Sequence, residues 1–282
     1  MSVKLNALIE NFEALWPFHN AQSWDVIGLV SGSKEKSISK VLLTVDVTAE
    51  VVDYAIERGV DLIFAHHPLL FNSINTLAED TAKGSLLAKL IKADIAVYSA
   101  HTNSDAVPTG TSAVLAQLIG IPNSLPLHDF VDGIHGIGKI GQLAKPLSLG
   151  ELAANLNAVL PQTASGVRVA GNFEKEVRTV ALCAGAGDTY LQLALDKGAD
   201  VYITSDLRHH PAQEILELAR ARNVEFALID ISHWAAEFLW LEQAKKELEL
   251  SNPDIEYEIC EIRTDVFDFL VNAPKSNYGS SS

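Results

Sequence analysis

An α/β fold is predicted by three features of this 282-residue chain: short β-branched apolar runs, amphipathic segments alternating with them, and polar residues gathered directly after the runs. Alternation of this kind indicates βαβ units and mostly parallel or mixed sheets flanked by helices. In order, the pattern predicts a helix over Lys4–Leu15, a buried strand at Lys40–Val45, and a helix over Ala49–Arg58 ended by Gly59. A strand at Asp61–Ala65, a helix over Ala82–Ala93, a strand at Ile95–Ser99 and a helix from Thr111 to Ile119 follow.

From Ile121 to Gly150 the texture changes. Prolines 122, 126 and 146 and five glycines punctuate the segment, as expected of a domain crossing with short strands. Beyond it come a helix over Leu149–Leu160 with Ser148 as N-cap, strands near Gly166–Ala170 and Val177–Cys183, and a helix over Tyr190–Lys197. Val201–Thr204 and Glu225–Asp230 read as strands around a helix over Ala212–Arg222; a last helix, Ala235–Leu248, precedes a strand at Ile255–Ile262. The tail SNYGSSS is small and polar and reads as disordered.

Composition narrows the class. Hydrophobic residues make up 48% and charged residues 20%, ordinary for a globular protein. Acidic residues outnumber basic ones 36 to 21, giving a net charge of -15, which opposes bulk nucleic-acid binding. A small anionic ligand is still compatible with a locally positive pocket, such as bound dications supply. The two cysteines, Cys183 and Cys260, lie in apolar strand-like runs and read as buried free thiols of a reducing compartment. The amphipathic start MSVKLNALIENFEALW has no signal-peptide core, and no apolar run approaches the ~20 residues of a membrane span. A soluble, cytoplasmic protein without a membrane partner is expected.

The chemistry-bearing residues fall at strand ends. His66 and His67 follow one strand, His101 and Asp105 a second, and His233 and Glu237 a third; Asp206, His209 and His210 follow a fourth. Open α/β sheets bind ligands in the crevice outside the carboxyl ends of their strands. His233 and Glu237, at i and i+4, share one face of a helix start. Pro68 ends the strand at the paired histidines and lets both turn to one pocket, while Pro108 and Gly110 let Asp105 fold back. Four imidazoles and two carboxylates exceed the needs of one ion. They suit two divalent ions ~3.5–4 Å apart, able to polarise a substrate and activate water. Mixed nitrogen and oxygen donors without thiolate favour Zn, Mn, Fe, Co or Ni over Ca or Mg.

Other polar residues have plainer readings. Of His209 and His210, the second is read as facing inward. His19, His128 and His135 are read as structural or surface residues. AGAGDTY (Ala184–Tyr190) has Tyr where a dinucleotide fingerprint needs glycine, so a tight turn for close backbone packing is the better account. Trp24-Asp25 reads equally as a site loop or as an aromatic anchor with a local turn.

Five segments together resemble the Nif-three-like family, also called GTP cyclohydrolase I type 2 homologues. They are WDVIGLVSG at Trp24–Gly32, HHP at His66–Pro68, HTNSDA at His101–Ala106, TSDLRHH at Thr204–His210 and SHWAAE at Ser232–Glu237. The likeness spans about residues 1–265, in the family's compact form. It implies two α/β domains, here 1–125 plus 233–282 and 126–232, with a dinuclear metal site in the cleft between them. It also implies His66, His67, His101, Asp105, His233 and Glu237 as metal ligands, Asp206 and His210 as cleft residues able to handle protons, and a ring-shaped hexamer. Val26, Ser205 and Ser232 depart from the family's Asn, Gly and Gly. The function expected is metal-dependent hydrolysis of a small molecule, a nucleotide or a related heterocycle or phosphoester. The alternative is a non-catalytic protein for metal binding, metal delivery or regulatory interaction.

Overall fold

Three unbroken apolar runs, KVLLT, LIFA and AVYS, read as strands buried on both faces, and the structure places them side by side. The computed structural model describes residues 2–130 and 132–271. The first sheet runs in the order Glu256–Ile259, Lys40–Thr44, Leu62–Ala65, Ala96–Ser99, Gly28–Ser31. Its first four strands are parallel and Gly28–Ser31 is an antiparallel edge. Helices cover both faces. Val41, Leu43 and Phe64 pack against Leu8 and Phe12 of the helix Leu5–Leu15 and Trp240 and Leu241 of the helix Trp240–Ser251. Leu42, Ile63 and Val97 pack beneath Val51 and Val52 of Ala49–Glu57 and Leu87 and Leu90 of Ala82–Lys92.

Aromatic rings fill the first of these cores. Ring centroids lie 4.8 Å apart for Phe12 and Tyr98, 5.2 Å for Trp16 and Phe64, and 5.4 Å for Trp16 and Trp240. Burying each such side chain contributes about 1.5–3 kcal/mol.

The second sheet has the order Leu125–Asp129, Gly136–Ser148, Glu176–Ala186, Val201–Ser205, Ala227–Ile231, Arg168–Ala170. Glu176–Ala186, Val201–Ser205 and Ala227–Ile231 are parallel, and the other pairings antiparallel. Helices Thr111–Leu118 and Leu149–Val159 bury Leu115, Leu152 and Leu156 on one face. On the other, Leu191–Asp196 and His209–Ala221 bury Leu195, Ile215 and Ala219. Two short strands, Val3–Lys4 and Ser37–Ile38, form a separate antiparallel pair.

Besides the unexpected strands Gly28–Ser31, Val3–Lys4 and Ser37–Ile38 and a helix that begins at His209 instead of Ala212, two larger departures from the sequence pattern occur. The glycine- and proline-punctuated stretch contains one 13-residue strand, Gly136–Ser148, where short strands were expected. Its register slips between Leu147, opposite Val177, and Gln142, opposite Thr179, and Pro146 sits in that slip, where no ladder hydrogen bond needs its missing N–H. The expected helix Ala235–Leu248 is interrupted at Leu239, giving His233–Phe238 and Trp240–Ser251. Its first part is wedged between both cores, with Trp234 and Ala235 in one and Ala236 in the other.

Ser148 caps its helix as expected, in a reciprocal capping box with Glu151. Cys183 and Cys260 are buried free thiols. Among the described residues no helix is long and apolar enough to cross a membrane. The tail Ser276–Ser282 lies outside the described residues.

Candidate metal centre

Parallel strands align their carboxyl ends, and the residues just beyond those ends make the site. Ladder bonding continues past the strands: His66 N–H donates to Thr44 O, His67 N–H to Val45 O, and Ala100 N–H to Ala65 O. These bonds fix where His66, His67 and His101 leave the first sheet. From the second sheet, Asp206 follows Val201–Ser205, and His233 and Glu237 follow Ala227–Ile231 on a helix capped by Ser232 Oγ, which accepts from Ala235 N–H.

The side chains converge on the Glu237 carboxylate. Oε1 lies 2.9 Å from His233 Nε2 and 3.5 Å from His66 Nε2, and Oε2 lies 2.9 Å from His67 Nε2. Asp105 Oδ1 is 3.7 Å from His66 Nε2. His66, His67 and His101 form one group whose ligand atoms all lie within 4.8 Å of one another, and His67, His233 and Glu237 form another. His67 belongs to both.

Every one of the four imidazoles commits Nδ1 to an oxygen acceptor. His66 donates to Ala100 O at 3.0 Å, His67 to Asp46 Oδ1 at 2.7 Å, His101 to Asp25 Oδ1 at 2.9 Å and His233 to Asp206 Oδ2 at 2.5 Å. That commitment selects the tautomer and turns each Nε2 inward, as outer carboxylates do around metal-ligating histidines. Thr102 N–H and Oγ1–H fix the second oxygen of Asp25, and Thr264 Oγ1–H donates to Asp46 Oδ2.

The electrostatics are those of a crowded anionic pocket. Burial works against charge on His67, but the Glu237 and Asp46 carboxylates hold its pKa at about 10. His233 is pushed up to about 11 in the same way, by Glu237 and Asp206 against burial. Burial would raise Glu237, yet His233, His67 and His66 hold it well below the usual carboxylate range. Asp105 goes up, because burial and the Glu237 charge outweigh His66 and His101. Asp25, despite burial, is held at about 2 by His101 and Thr102.

The donor set fits divalent cations. His66 Nε2 is buried without a hydrogen-bond partner, which is costly for a polar atom unless something else satisfies it. With Nδ1 engaged elsewhere, each Nε2 offers a lone pair once its proton is displaced.

Gly185 makes the close approach of the second sheet feasible. It adopts φ +80°, and a Cβ there would stand 2.4 Å from Glu237 Oε1 and 3.2 Å from His233 Nε2. Thr204 Oγ1–H donates to Gly185 O and Tyr202 Oη–H to Gly187 O, which braces the AGAGDTY turn. That motif serves close packing, as its sequence implied.

Two cavities flank the cluster. One of about 580 Å³ is bounded by His67, His101, Asp105, His233 and Glu237 together with Trp24, Phe71 and Tyr190. The other, of about 480 Å³, lies against His67, His233, Asp46 and the segment Thr264–Phe267.

The structure therefore brings together all six candidate ligands, with Asp206 directly behind His233. His210 is exposed in the first turn of His209–Ala221 and lines neither flanking cavity. Asp25 takes a site role, and Trp24 lies beside His101 at 6.0 Å between ring centroids. Asp46 and Thr264 were missed. Asp46 could have been noticed as a carboxylate just beyond the strand Lys40–Thr44, but Thr264 carries no local signal.

Comparison with known proteins identifies relatives over nearly the whole chain. A "GTP cyclohydrolase 1 type 2 homolog" of Streptomyces coelicolor is 41% identical over 249 residues, covering 87% of this chain and 86% of that protein. One of the same name from Clostridium perfringens is 32% identical, over 95% of this chain and all of that protein. Among solved structures, a Bacillus cereus protein related to NIF3 superposes with a TM-score of 0.86 at 25% identity, covering 95% and 99% of the two chains. Reduced HcgD from Methanocaldococcus jannaschii gives 0.77 at 28% identity, over 93% and 99%. The Duf34/NIF3 (NGG1p interacting factor 3) family model matches residues 3–266, and the chain belongs to that family.

Proposed function

We propose that His66, His67, His101, Asp105, His233 and Glu237 hold two divalent metal ions, and that the centre hydrolyses a small heterocyclic substrate bound in the adjoining cleft. The observation that carries this reading is the shared orientation of the imidazoles: four Nδ1 atoms are bonded to oxygen acceptors, and the Nε2 atoms of His66, His67 and His233 lie within 3.5 Å of the buried Glu237 carboxylate. His67 belongs to both ligand groups, and the Glu237 carboxylate lies 2.9 Å from His67 and His233 and 3.5 Å from His66, so these two residues would help to hold both ions. When bound, a pair of such ions activates water and neutralises developing negative charge.

The chain's own residues do the rest. Asp25, Asp46 and Asp206 orient His101, His67 and His233. Asp206 holds the strained backbone angle φ +56° while bonded to His233, which makes it a positioning residue. Trp24, Phe71 and Tyr190 wall the cleft with apolar surface beside the polar cluster and exclude water around a bound ring. The names of the relatives mention GTP, whose guanine ring is a planar heterocycle of this kind.

Elemental analysis of the purified protein tests the metal, and a hydrolysis screen including GTP and its base and nucleoside forms tests the reaction. Two equivalents of metal, lost in Glu237→Ala, together with turnover that follows metal content, are expected. Tightly held metal with no turnover across the screen would overturn the hydrolase and leave a binding or delivery protein. No metal in wild type or after reconstitution would overturn the centre itself.

A further inference from the structure

We propose that the cleft beside the centre takes an uncharged planar heteroaromatic compound, a base or nucleoside, and discriminates against polyphosphates. This rests on the metal reading above and narrows its substrate.

Charge carries the first half of the argument. Among the described residues lining the 580 Å³ cleft there is no lysine or arginine. The carboxylates of Asp105 and Glu237 lie in the cluster, and those of Asp25, Asp46 and Asp206 are bonded to its histidines. Together they bring five formal negative charges, one more than two dications neutralise. Asp188, on the cleft wall, has its charge matched by Arg208 Nε at 2.6 Å. The ions therefore leave no excess positive potential for a triphosphate, and the net charge of -15 adds to the repulsion. Phosphate sites rely on arginine, lysine or free backbone N–H groups at a helix start. The one glycine-rich turn at the cleft is spent on packing Gly185 against Glu237.

Shape carries the second half. Trp24 and Phe71 are 58% and 53% exposed, although both are large apolar rings at the cleft wall. They meet edge to face at 5.8 Å, and both rings also lie edge-on to His101, at 6.0 and 6.1 Å. Tyr190, from the second sheet's side, lines the same space. Aromatic walls left open next to a polar cluster suit a flat ring that stacks while its heteroatoms face the polar side.

Calorimetric titration of the full-length protein, with metal content measured in each sample, tests the proposal with adenosine, guanosine and inosine against their triphosphates. At least one nucleoside is expected to bind tenfold or more tightly than its triphosphate. Trp24→Ala and Phe71→Ala should each weaken that nucleoside about tenfold at unchanged metal content, in line with the loss of one stacking partner. Triphosphates binding as tightly as the nucleosides, no nucleoside binding, or nucleoside affinity indifferent to both substitutions would overturn it. Nucleoside binding that depends on Trp24 and Phe71, in protein that takes up no metal even after reconstitution, would support the cleft assignment while refuting the metal centre, so the two failures are distinguishable.

Discussion

Gly185 and Glu237 meet so closely that a single methyl group cannot stand between them: a Cβ on Gly185 would lie 2.4 Å from Glu237 Oε1. One sheet supplies the glycine turn, and the wedge helix between the two cores supplies the carboxylate. Gly185→Ala should therefore push Glu237 out of place and, through φ +80°, add about 1–2 kcal/mol of backbone strain. Loss of bound metal by elemental analysis, with a folded circular-dichroism spectrum, is the expected result. Full metal content in the variant would show that Glu237 does not need its present position.

Asp46→Asn keeps the shape of the side chain but weakens the acceptor that orients His67. Metal affinity should fall about 10–100-fold, read by competition with a chromogenic chelator. Thr264→Val, one bond further out, should have a smaller effect in the same direction. His210→Ala, on an exposed helix turn, should leave affinity unchanged. An unaltered affinity in Asp46→Asn would mean that His67 is held by something other than this carboxylate.

Acid stability should depend on Glu258. Its carboxylate accepts from Tyr54 Oη at 2.5 Å and from Arg58 Nε and Nη2 at 2.9 and 2.8 Å, and Lys40 Nζ lies 3.1 Å away. Burial opposes the charge, but these partners hold the pKa at about 2. An unfolded glutamate titrates near ~4.3, so the folded value is depressed. The stabilisation is complete above the unfolded value and is lost as pH falls towards the folded one. In urea melts, Glu258→Gln should be less stable than wild type at pH 7, and the gap should close as pH drops from about 4.5 to about 2. A gap independent of pH would refute the linkage.

Two substitutions should separate helix capping from core packing. Ser148→Ala breaks the capping box and should cost about 0.5–2 kcal/mol, without touching the metal centre. Trp240→Ala empties the aromatic core and should cost about 3–5 kcal/mol. Because the Trp240 ring also lies 5.4 Å from that of His66, this change should lower metal content as well. Equal thermal shifts in the two variants would contradict the assigned burial.

The sequence by itself determined the α/β class, the strands that form the parallel core of each sheet and the six polar residues of the cluster. Those are local properties: apolar runs bounded by turn residues mark KVLLT, LIFA and VYITS, and polar residues after a strand mark His66, His101 and Asp206. Tertiary structure alone decided how the pieces meet. Gly136–Ser148 becomes one long strand because its neighbour Glu176–Ala186 pairs with it across a register slip. The last helix breaks at Leu239, where its first part is wedged between two cores and the rest packs on the first sheet. Asp46 holds His67, Thr264 holds Asp46, and His210 stays outside while Asp206 turns in. Hydrogen bonds between residues far apart in the chain leave no periodicity to read, since they depend on where the backbone has already been carried.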